Sequence, residues 1–322
     1  MKITCIVPST LDKDIYVYLS KCIASLQENS NFVISIVLVT NSTHFRDNLK
    51  VLKHVSEIYY VASNAGFSDL NNFGIELALS KYSADYILLL NDDAFLGEQF
   101  FSILKNIIST NSPELIIPKI FNATGAQIDS FGVEYFRSGY AKNNTHQNNQ
   151  TKLATGCCLV ISSEFAQKML QTYGYIFNPL LYFYLEDVEF SIRAQMLEPI
   201  VIKTNELTVY HHGSATSGKK SYFTMYQTYR NILWVMLMTW PKVYFLRHIL
   251  SILLVQIWVF IFSTTSFGVQ MYLRILLETI ANFKQILYFR KKNLHGYKRK
   301  NFSYIFSKLT FRTYHNLQIK VS

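Results

Sequence analysis

Cysteine is scarce in this sequence, and its spacing argues against two ways of stabilising a small fold. Only four cysteines occur in 322 residues, and they are Cys5, Cys22, Cys157 and Cys158. No Cys-x-x-Cys pair is present and two of the four are adjacent, which disfavours both a zinc site and a disulfide framework. We therefore expect free thiols in a reducing, cytoplasmic compartment. A chain of this length can bury one large domain and a smaller appendage without covalent staples.

Acidic residues are missing from the C-terminal part of the chain. After Glu278 there is no Asp or Glu, whereas ten Lys and Arg residues follow it and account for the formal net charge of +10. Nucleic-acid binding would interleave basic and aromatic residues on the folded face, so we expect no nucleic-acid partner. A basic tail beside an apolar segment instead favours the anionic inner surface of the cell membrane.

Long uncharged apolar runs are rare except near this tail. Ile249 to Phe262 contains no charged residue. Fourteen residues span about 21 Å as a helix, which is less than the roughly 30 Å of the hydrocarbon core. Extension back to Val243 reaches spanning length but includes Arg247. We favour a helix in the membrane interface, or an embedded hairpin with Met271 to Phe289. The alternative is a buried core helix with a solvated basic end.

The first half of the sequence alternates short apolar strands with helical patterns. The strand candidates are Ile3 to Val7, Val33 to Val39, Glu57 to Val61 and Asp85 to Leu90, and the helical stretches include Ile15 to Gln27 and Asp69 to Ser80. This alternation predicts an α/β fold with a Rossmann-like, mostly parallel sheet flanked by helices. No Gly-x-Gly-x-x-Gly follows the first strand, which disfavours a dinucleotide-dependent oxidoreductase. The N-terminus also lacks the features of a signal peptide.

The second half predicts a further ordered block and a distinct C-terminal region. We expect a small-residue strand at Leu153 to Ile161 and a helix that opens at Ser162 or Ser163. The predicted first domain covers 1–220 and divides into two halves, at about 1–110 and about 111–220. A helical, basic, membrane-associating region follows at 221–322.

The first chemical signal is an apolar strand, Tyr86 to Leu90, that ends in Asn91, Asp92 and Asp93. Adjacent carboxylates repel each other unless a cation lies between them. Hard oxygen ligands suit Mg²⁺ or Mn²⁺ bridging a diphosphate. The alternative is a solvated turn that caps the next helix.

This segment resembles the metal motif of the rhamnosyltransferase-like branch of glycosyltransferase family 2. The resemblance implies the fold of that family, which is GT-A. Asn64 to Phe67 and Asn71 to Ile75 resemble the signature that precedes the motif in this branch. The resemblance implies that Asp93 is a ligand of Mn²⁺ or Mg²⁺, with Asn91 as a further ligand. It implies a donor site that contains Asn64, Gly66, Phe67, Asn71, Asn91 and Asp92. Alone, the upstream segment is also compatible with an ordinary turn and helix start.

Two later segments resemble the acceptor side of the same family. Thr155 to Val160 resembles its small-residue strand, which implies that Gly156 and Cys157 bind the acceptor; a tightly packed core strand is the alternative. Asn178 to Arg193 resembles its Glu-Asp-x-Glu/Asp element. The match implies that Asp187 is the general base and that Glu186 assists it or binds the acceptor. From spacing alone, Glu189 and Arg193 at i and i+4 predict an ion pair on a helix.

The last matching segment is Val209 to Gly218, which resembles the family's His-x-Gly-Ser stretch. The resemblance implies that His211 is a metal ligand, with His212 as its substitute, and that amides from Ser214 to Gly218 contact diphosphate. Arg230 and Asn231 also match a family pair that orients phosphate or the C-terminal helices. Solvation on a helix surface is the alternative for that pair.

The sequence departs from the family at two donor positions. The usual Asp after the second strand is replaced by Thr40, Asn41 and Ser42, and the usual Tyr-Asn after Pro8 by Ser9 and Thr10. Hydroxyl and amide groups can still bind a pyrimidine edge, so Pro8, Ser9, Thr40 and Asn41 stay donor-site candidates. The identity of the base, thymine or uracil, is left open.

The resemblance implies an inverting, metal-dependent glycosyltransferase of surface polysaccharide assembly, such as O-antigen or capsule. It implies that 1–220 is the GT-A catalytic domain, with a nucleotide-binding half at about 1–110 and an acceptor half at about 111–220. We expect L-rhamnose transfer from dTDP-rhamnose to a lipid-linked or growing saccharide, by an enzyme held peripherally on the inner membrane face. Galactofuranosyl, galactosyl or N-acetylhexosaminyl transfer from a UDP-sugar is the alternative within this class. A non-catalytic, membrane-associated binding or scaffold protein is the alternative from another class.

Overall fold

The computed structural model describes residues 1–11, 15–27, 33–43, 55–146, 151–213 and 221–297. The predictions for Ser214 to Gly218 and for the basic tail beyond Tyr297 lie outside these residues. The strands are β1 Lys2–Ser9, β2 Val33–Thr40, β3 Glu57–Tyr60, β4 Tyr86–Leu90, β5 Ala94–Leu96, β6 Leu115–Asn122, β7 Ile128–Ser130, β8 Val133–Tyr135, β9 Ala141–Asn143, β10 Cys158–Ser162 and β11 Val201–His211. The helices are α1 Tyr16–Gln27, α2 Phe67–Ser80, α3 Phe100–Asn111, α4 Ser163–Tyr173, α5 Glu186–Met196, α6 Tyr222–Thr239, α7 Lys242–Arg247, α8 Ile249–Phe267, α9 Val269–Ala281 and α10 Phe283–Asn293.

One central sheet has the order β3-β2-β1-β4-β10-β6-β11-β5, with β7 paired to β6. Its first four strands are parallel, as the alternation of strands and helices predicted. β10 runs antiparallel to both β4 and β6, because the chain turns back into the sheet after its excursion through β8 and β9. Among the described strands the central sheet has four parallel and four antiparallel pairings, so it is mixed rather than mostly parallel.

Helices cover both faces of the sheet, which confirms the α/β class. Successive residues of a strand face opposite sides, and Cys5 and Ile6 of β1 accordingly lie in different apolar clusters. Cys5 packs with residues of α1 and α3, whereas Ile6 packs with residues of α2 and α4. All four cysteines are buried as free thiols.

The segment between β9 and α4 differs from its prediction. The strand begins at Cys158, and the preceding Leu153 to Cys157 is irregular backbone. Gly156 N–H donates to the Asp187 carboxylate rather than to a neighbouring strand. The carbonyl of Cys157 accepts from Asn91 N–H, directly beyond the last residue pair of β4 and β10. The helix start is confirmed, because the Ser162 hydroxyl accepts from Phe165 N–H and caps α4.

The C-terminal helices share a core with the acceptor half of the preceding domain. Trp234 and Trp240 of this region lie in one buried cluster with Leu181, Val188 and Ile192. The proposed boundary at residue 220 is therefore not a break in the hydrophobic core. Within the described ranges, α8 is the one helix long and apolar enough to cross a membrane. Gly268, in a left-handed conformation with φ 87°, joins α8 to α9.

Candidate active site

A cavity of about 590 Å³ opens where β1, β2 and β4 end. Ligands of open α/β sheets bind at this edge, because the loops that follow parallel strands meet there. Most of the predicted site residues are brought together on its wall: Pro8, Ser9, Asn41, Gly66, Phe67, Asn91, Asp92, Asp93, Gly156, Cys157, Glu186, Asp187 and His211. Residues far apart in sequence thus form one site.

Three predicted donor residues do not line the cavity, which corrects the prediction for them. Thr40 is fully buried, and its hydroxyl accepts from Ser42 N–H at 3.0 Å. Asn71 lies inside the second turn of α2, where its amide donates to the carbonyl of Phe67. Asn64 is exposed in the loop before α2. Local hydrogen bonds and helix orientation, which the motif does not reveal, place these side chains elsewhere.

His212 does not share the position of His211, so it is no substitute ligand in this arrangement. Side chains alternate along extended backbone, and His211 faces the cavity while its neighbour turns away. The ring of His212 lies against Tyr18, with centroids 4.3 Å apart. Its backbone N–H donates to the carbonyl of Asp93 at 3.0 Å.

Two carboxylates of the first turn of α5, Glu186 and Asp187, lie on the cavity wall at the side predicted to bind the acceptor. Asp187 accepts from Gly156 N–H at 2.8 Å with Oδ2, and from Val188 N–H at 2.8 Å with Oδ1. Burial raises the pKa of Asp187, although the backbone donors oppose this. Burial, followed by the charge of Asp187, raises the pKa of Glu186. A carboxylate with a raised pKa is a stronger base than one in water.

The Glu186 side chain also has unused hydrogen-bonding capacity. Its Oε2 is buried and has no hydrogen-bond partner among the described residues. A buried oxygen in this state is costly unless a ligand supplies a donor. Glu186 lies on the wall of a cavity that also has Tyr182, Phe183 and Phe223 on its wall. Hydroxyl donors and apolar faces are what a sugar ring offers, so this side of the cavity is suited to a saccharide.

Gly66 allows the loop before α2 to contact the aromatic loop before α5. A Cβ atom on this glycine would lie 2.3 Å from the carbonyl oxygen of Tyr182, which is too close for any other residue. The next residue, Phe67, donates its N–H to the same carbonyl at 2.9 Å. The predicted donor loop and the acceptor side therefore form one wall.

His211, the last residue of β11, lies between two carboxylates, one in the turn between β4 and β5 and the other on β7. Its Nε2 is 3.2 Å from Asp93 Oδ1, and its Nδ1 is 2.8 Å from Asp129 Oδ2. Burial alone would lower the pKa of His211, but the neighbouring Cys157, Asp129 and Asp93 outweigh it and raise the pKa. Asp129 fixes the ring so that Nε2 points to Asp93, which is the usual arrangement of a metal-binding histidine.

The side chains at this corner fit the implied divalent cation in part. Asp93 and His211 offer an oxygen and a nitrogen on the cavity wall, and Asn91 Oδ1 is buried without a partner among the described residues. Within those residues, no group of three His, Cys, Asp or Glu side chains could hold a metal alone. Mg²⁺ and similar ions bind through one or two carboxylates together with substrate phosphates and water. The set therefore suits a cation that is shared with a diphosphate.

Sequence reasoning missed Asp129 and the cavity position of Phe223. Asp129 lies on β7, and its contact with His211 depends on β7 and β11 both pairing with β6. No local pattern marks either residue. The aromatic run Tyr182 to Tyr184 was part of the recognised element, although its role as cavity wall was not predicted.

Comparisons with known proteins identify the fold. No protein-family model matches this chain, and no curated protein matches it by sequence. Among solved structures, Staphylococcus aureus TarS residues 1–349 matches with a TM-score of 0.53 and 14% identity, over 97% of this chain and 93% of that one. The same fragment in complex with UDP-GlcNAc matches with a TM-score of 0.53 and 15% identity, over 97% and 93% of the two chains.

GalNAc-T7 with UDP, GalNAc and Mn²⁺ also matches, with a TM-score of 0.53 and 14% identity, over 75% of this chain and 48% of that one. At these identities the likeness establishes the architecture, and membership of family 2 and of its rhamnosyltransferase-like branch stays a prediction. The chain has the mixed α/β GT-A fold that the sequence motifs implied.

Proposed function

We propose that this protein is an inverting glycosyltransferase that uses a nucleoside diphosphate sugar. The observation that carries the proposal is the convergence of Asp93, Asp187 and His211 on one cavity at the nucleotide-binding edge of the sheet. The structural neighbours are described with UDP, UDP-GlcNAc or Mn²⁺, which supports a nucleotide-sugar donor and a divalent cation.

In the proposed reaction Asp187 removes the proton from an acceptor hydroxyl, and the oxygen attacks the anomeric carbon of the donor sugar. The bond from this carbon to the diphosphate oxygen breaks, and the nucleoside diphosphate leaves on the opposite face. Glu186 accepts a hydrogen bond from the acceptor and keeps it aligned. A bound Mn²⁺ or Mg²⁺, held by Asp93, His211 and Asn91, would supply positive charge to the leaving diphosphate.

We propose dTDP-L-rhamnose as the donor, with a UDP-sugar of the galactosyl, galactofuranosyl or N-acetylhexosaminyl type as the alternative. Ser9 and Asn41 lie on the cavity wall where the base is expected, and their neutral groups accept either pyrimidine. UDP-GlcNAc in a neighbouring structure supports including that donor in any test.

We further propose that the acceptor is lipid-linked and that the protein lies on the anionic inner face of the membrane. The outer face of α8 exposes Leu250, Leu253, Leu254, Ile257 and Ile261, at helical spacing. Its opposite face is buried, with Ile252, Val255 and Val259 in the same core as α6. Because one side of α8 is bound to the domain, we expect partial insertion rather than a span.

The apolar face continues over the neighbouring helices. Leu246 of α7 and Leu273, Leu277 and Ile280 of α9 are exposed at 50% or more. Arg247 of α7 and Arg274 of α9 are exposed on the same helices. An anionic bilayer is the partner that matches both the apolar and the basic residues. A scaffold protein would explain this face, but it would not explain the carboxylates in the cavity.

The test is release of nucleoside diphosphate from a panel of dTDP-rhamnose, UDP-GlcNAc, UDP-galactose and UDP-galactofuranose, with and without Mn²⁺. We expect turnover of one donor, and loss of Mn²⁺-dependent UDP or dTDP binding in Asp93→Ala. A protein that binds none of these nucleotides, with or without Mn²⁺, would be the scaffold rather than an enzyme.

A further inference from the structure

The turn that precedes the two cavity carboxylates has an unfavourable backbone conformation. Tyr184 and Leu185 have positive φ angles of 68° and 65°, in the left-handed region. Residues with a Cβ atom avoid this region unless their surroundings hold them there. Leu185 is the residue immediately before α5, so its conformation sets the direction in which Glu186 and Asp187 leave the turn.

The side chain of Asn231, from the C-terminal region, holds the backbone of this turn. Asn231 of α6 is fully buried, and its Nδ2 donates to the carbonyls of Phe183 and Tyr184 at 2.8 and 2.7 Å. Both donor hydrogens of the amide are therefore used on the two peptide groups that lead into the left-handed residues. An aspartate or a leucine at this position could not supply them.

A second set of contacts fixes the orientation of the amide. Arg230 Nε donates to Asn231 Oδ1 at 3.0 Å, which directs Nδ2 to the turn. Arg230 Nη1 is in turn 3.1 Å from Glu278 Oε2 on α9. The guanidinium carbon of Arg230 lies 4.4 Å from the centroid of the Trp234 ring. The turn before the carboxylates is thus connected through α6 to the helix that carries part of the apolar face.

We propose that Asn231 is a positioning residue for the reaction, which holds the turn that aims Glu186 and Asp187 into the cavity. This assignment rests on the proposed function for its kinetic consequence, but not for its structural one. Asn231 lines no part of the cavity, so it acts through the backbone and not through the substrate.

The experiment uses the full chain with Asn231→Asp and Asn231→Leu. Thr279→Val is the matched control, because it removes the α6–α9 hydrogen bond from Trp234 Nε1 at 2.8 Å without touching the turn. Hydrogen exchange of amides 182–189 is measured without substrate, together with UDP affinity and kcat. We expect faster exchange in this segment, unchanged UDP affinity, and a kcat lowered by about 100-fold, as for a catalytic group displaced by 1 Å.

The outcomes separate the two proposals. The positioning role is overturned if both Asn231 variants have the same exchange rates and the same kcat as Thr279→Val, even if the enzyme turns over a sugar nucleotide. If the native protein turns over none, the proposed function fails, and the exchange result still decides whether Asn231 holds the turn. Arg230→Lys, which keeps the charge but loses the Nε donor, provides a milder variant if the Asn231 changes prevent folding. It should show an intermediate increase in exchange, and unchanged exchange would contradict the role.

Discussion

At the residue scale, Asp187 has the contacts expected of a general base held ready for proton transfer. Asp187→Asn keeps the size of the side chain and an oxygen for the Gly156 N–H, but it cannot take a proton. We expect transfer to fall by about 10²- to 10⁴-fold, the usual contribution of a positioned base. UDP or dTDP affinity should be unchanged, and calorimetry on the purified variant measures it. Transfer at the native rate would remove Asp187 from the mechanism.

The raised pKa values of the two cavity carboxyls have opposite consequences for activity and for stability. The base must be ionised, so transfer should be lost as pH falls through the raised pKa of Asp187, at a higher pH than for an ordinary aspartate. The folded state holds the proton of Glu186 more tightly than the unfolded state does. Its contribution to stability is therefore lost as pH rises from the ordinary glutamate pKa through the raised one.

Glu186→Gln replaces this carboxyl by an amide that does not titrate. We expect a higher Tm than that of the native protein at pH 7, no difference at a pH below both pKa values, and lower transfer activity. Thermal unfolding followed across this pH range checks the sign. A lower Tm at pH 7 would mean that the Glu186 carboxylate is stabilised in the folded state, contrary to the burial argument.

Asp129 tests whether His211 is oriented for a cation. Asp129→Asn weakens the hydrogen bond that directs Nε2 to Asp93, and changes of this kind cost about 10- to 100-fold in metal affinity. Electron paramagnetic resonance titration of Mn²⁺ in the presence of UDP measures this directly. Asp85→Asn, an exposed carboxylate that bonds only to the N-terminal residues among its described contacts, is the matched control. Equal affinities in the two variants would contradict the orienting role.

At the scale of elements, α5 is anchored by a buried ion pair as well as by its first turn. Arg193 and Glu189 are both fully buried, and Arg193 Nη2 is 2.7 Å from Glu189 Oε2. This confirms the ion pair predicted from their spacing. Asn293 of α10 also donates to Glu189, at 2.9 Å. Arg193→Met leaves a buried carboxylate unpaired, and we expect a loss of about 3–5 kcal/mol in the free energy of unfolding.

Urea unfolding measures this loss. Lys81→Met is the matched control, since the Lys81–Glu57 pair is exposed and surface ion pairs contribute little. The double replacement of Arg193 and Glu189 by apolar residues should recover much of the loss, because no buried charge is then left alone. If Arg193→Met has the same urea midpoint of unfolding as the native protein, the ion pair does not anchor α5.

At the scale of the whole molecule, the exposed apolar face and the basic tail predict binding to anionic membranes. Six of the ten basic tail residues lie beyond the described part of the chain, so the test uses the apolar face. Leu250→Asp with Leu254→Asp puts two charges on this face, and we expect most of the protein to leave vesicles of phosphatidylglycerol in a sedimentation assay. Val17→Asp, a change at an apolar residue of α1 that is 75% exposed, should leave binding unchanged.

Point substitutions are a sharper test than removal of the C-terminal helices. Met271, Ile275 and Ile286 belong to the core that also contains Leu181 and Val188. Truncation near Gln270 would therefore unfold part of the acceptor side along with the membrane face. Vesicle binding by the double variant at the native level would show that the exposed face of α8 does not carry the membrane binding.

The sequence alone determined the first strands and helices, and the resemblance of its motifs implied the type of chemistry. Apolar runs and their periods depend only on neighbouring residues, so they identified the parallel half of the sheet and the strand that ends at Asn91–Asp93. The acidic start of α5 was predicted from its resemblance to the family's element. Tertiary structure decided which groups meet, because strand pairing and helix packing join residues that are far apart in sequence, 82 positions for Asp129 and His211 and 47 or 48 for Asn231 and the turn. It brought Asp129 to His211 and Asn231 to the turn before Glu186, and it directed the side chains of Thr40 and Asn71 away from the cavity.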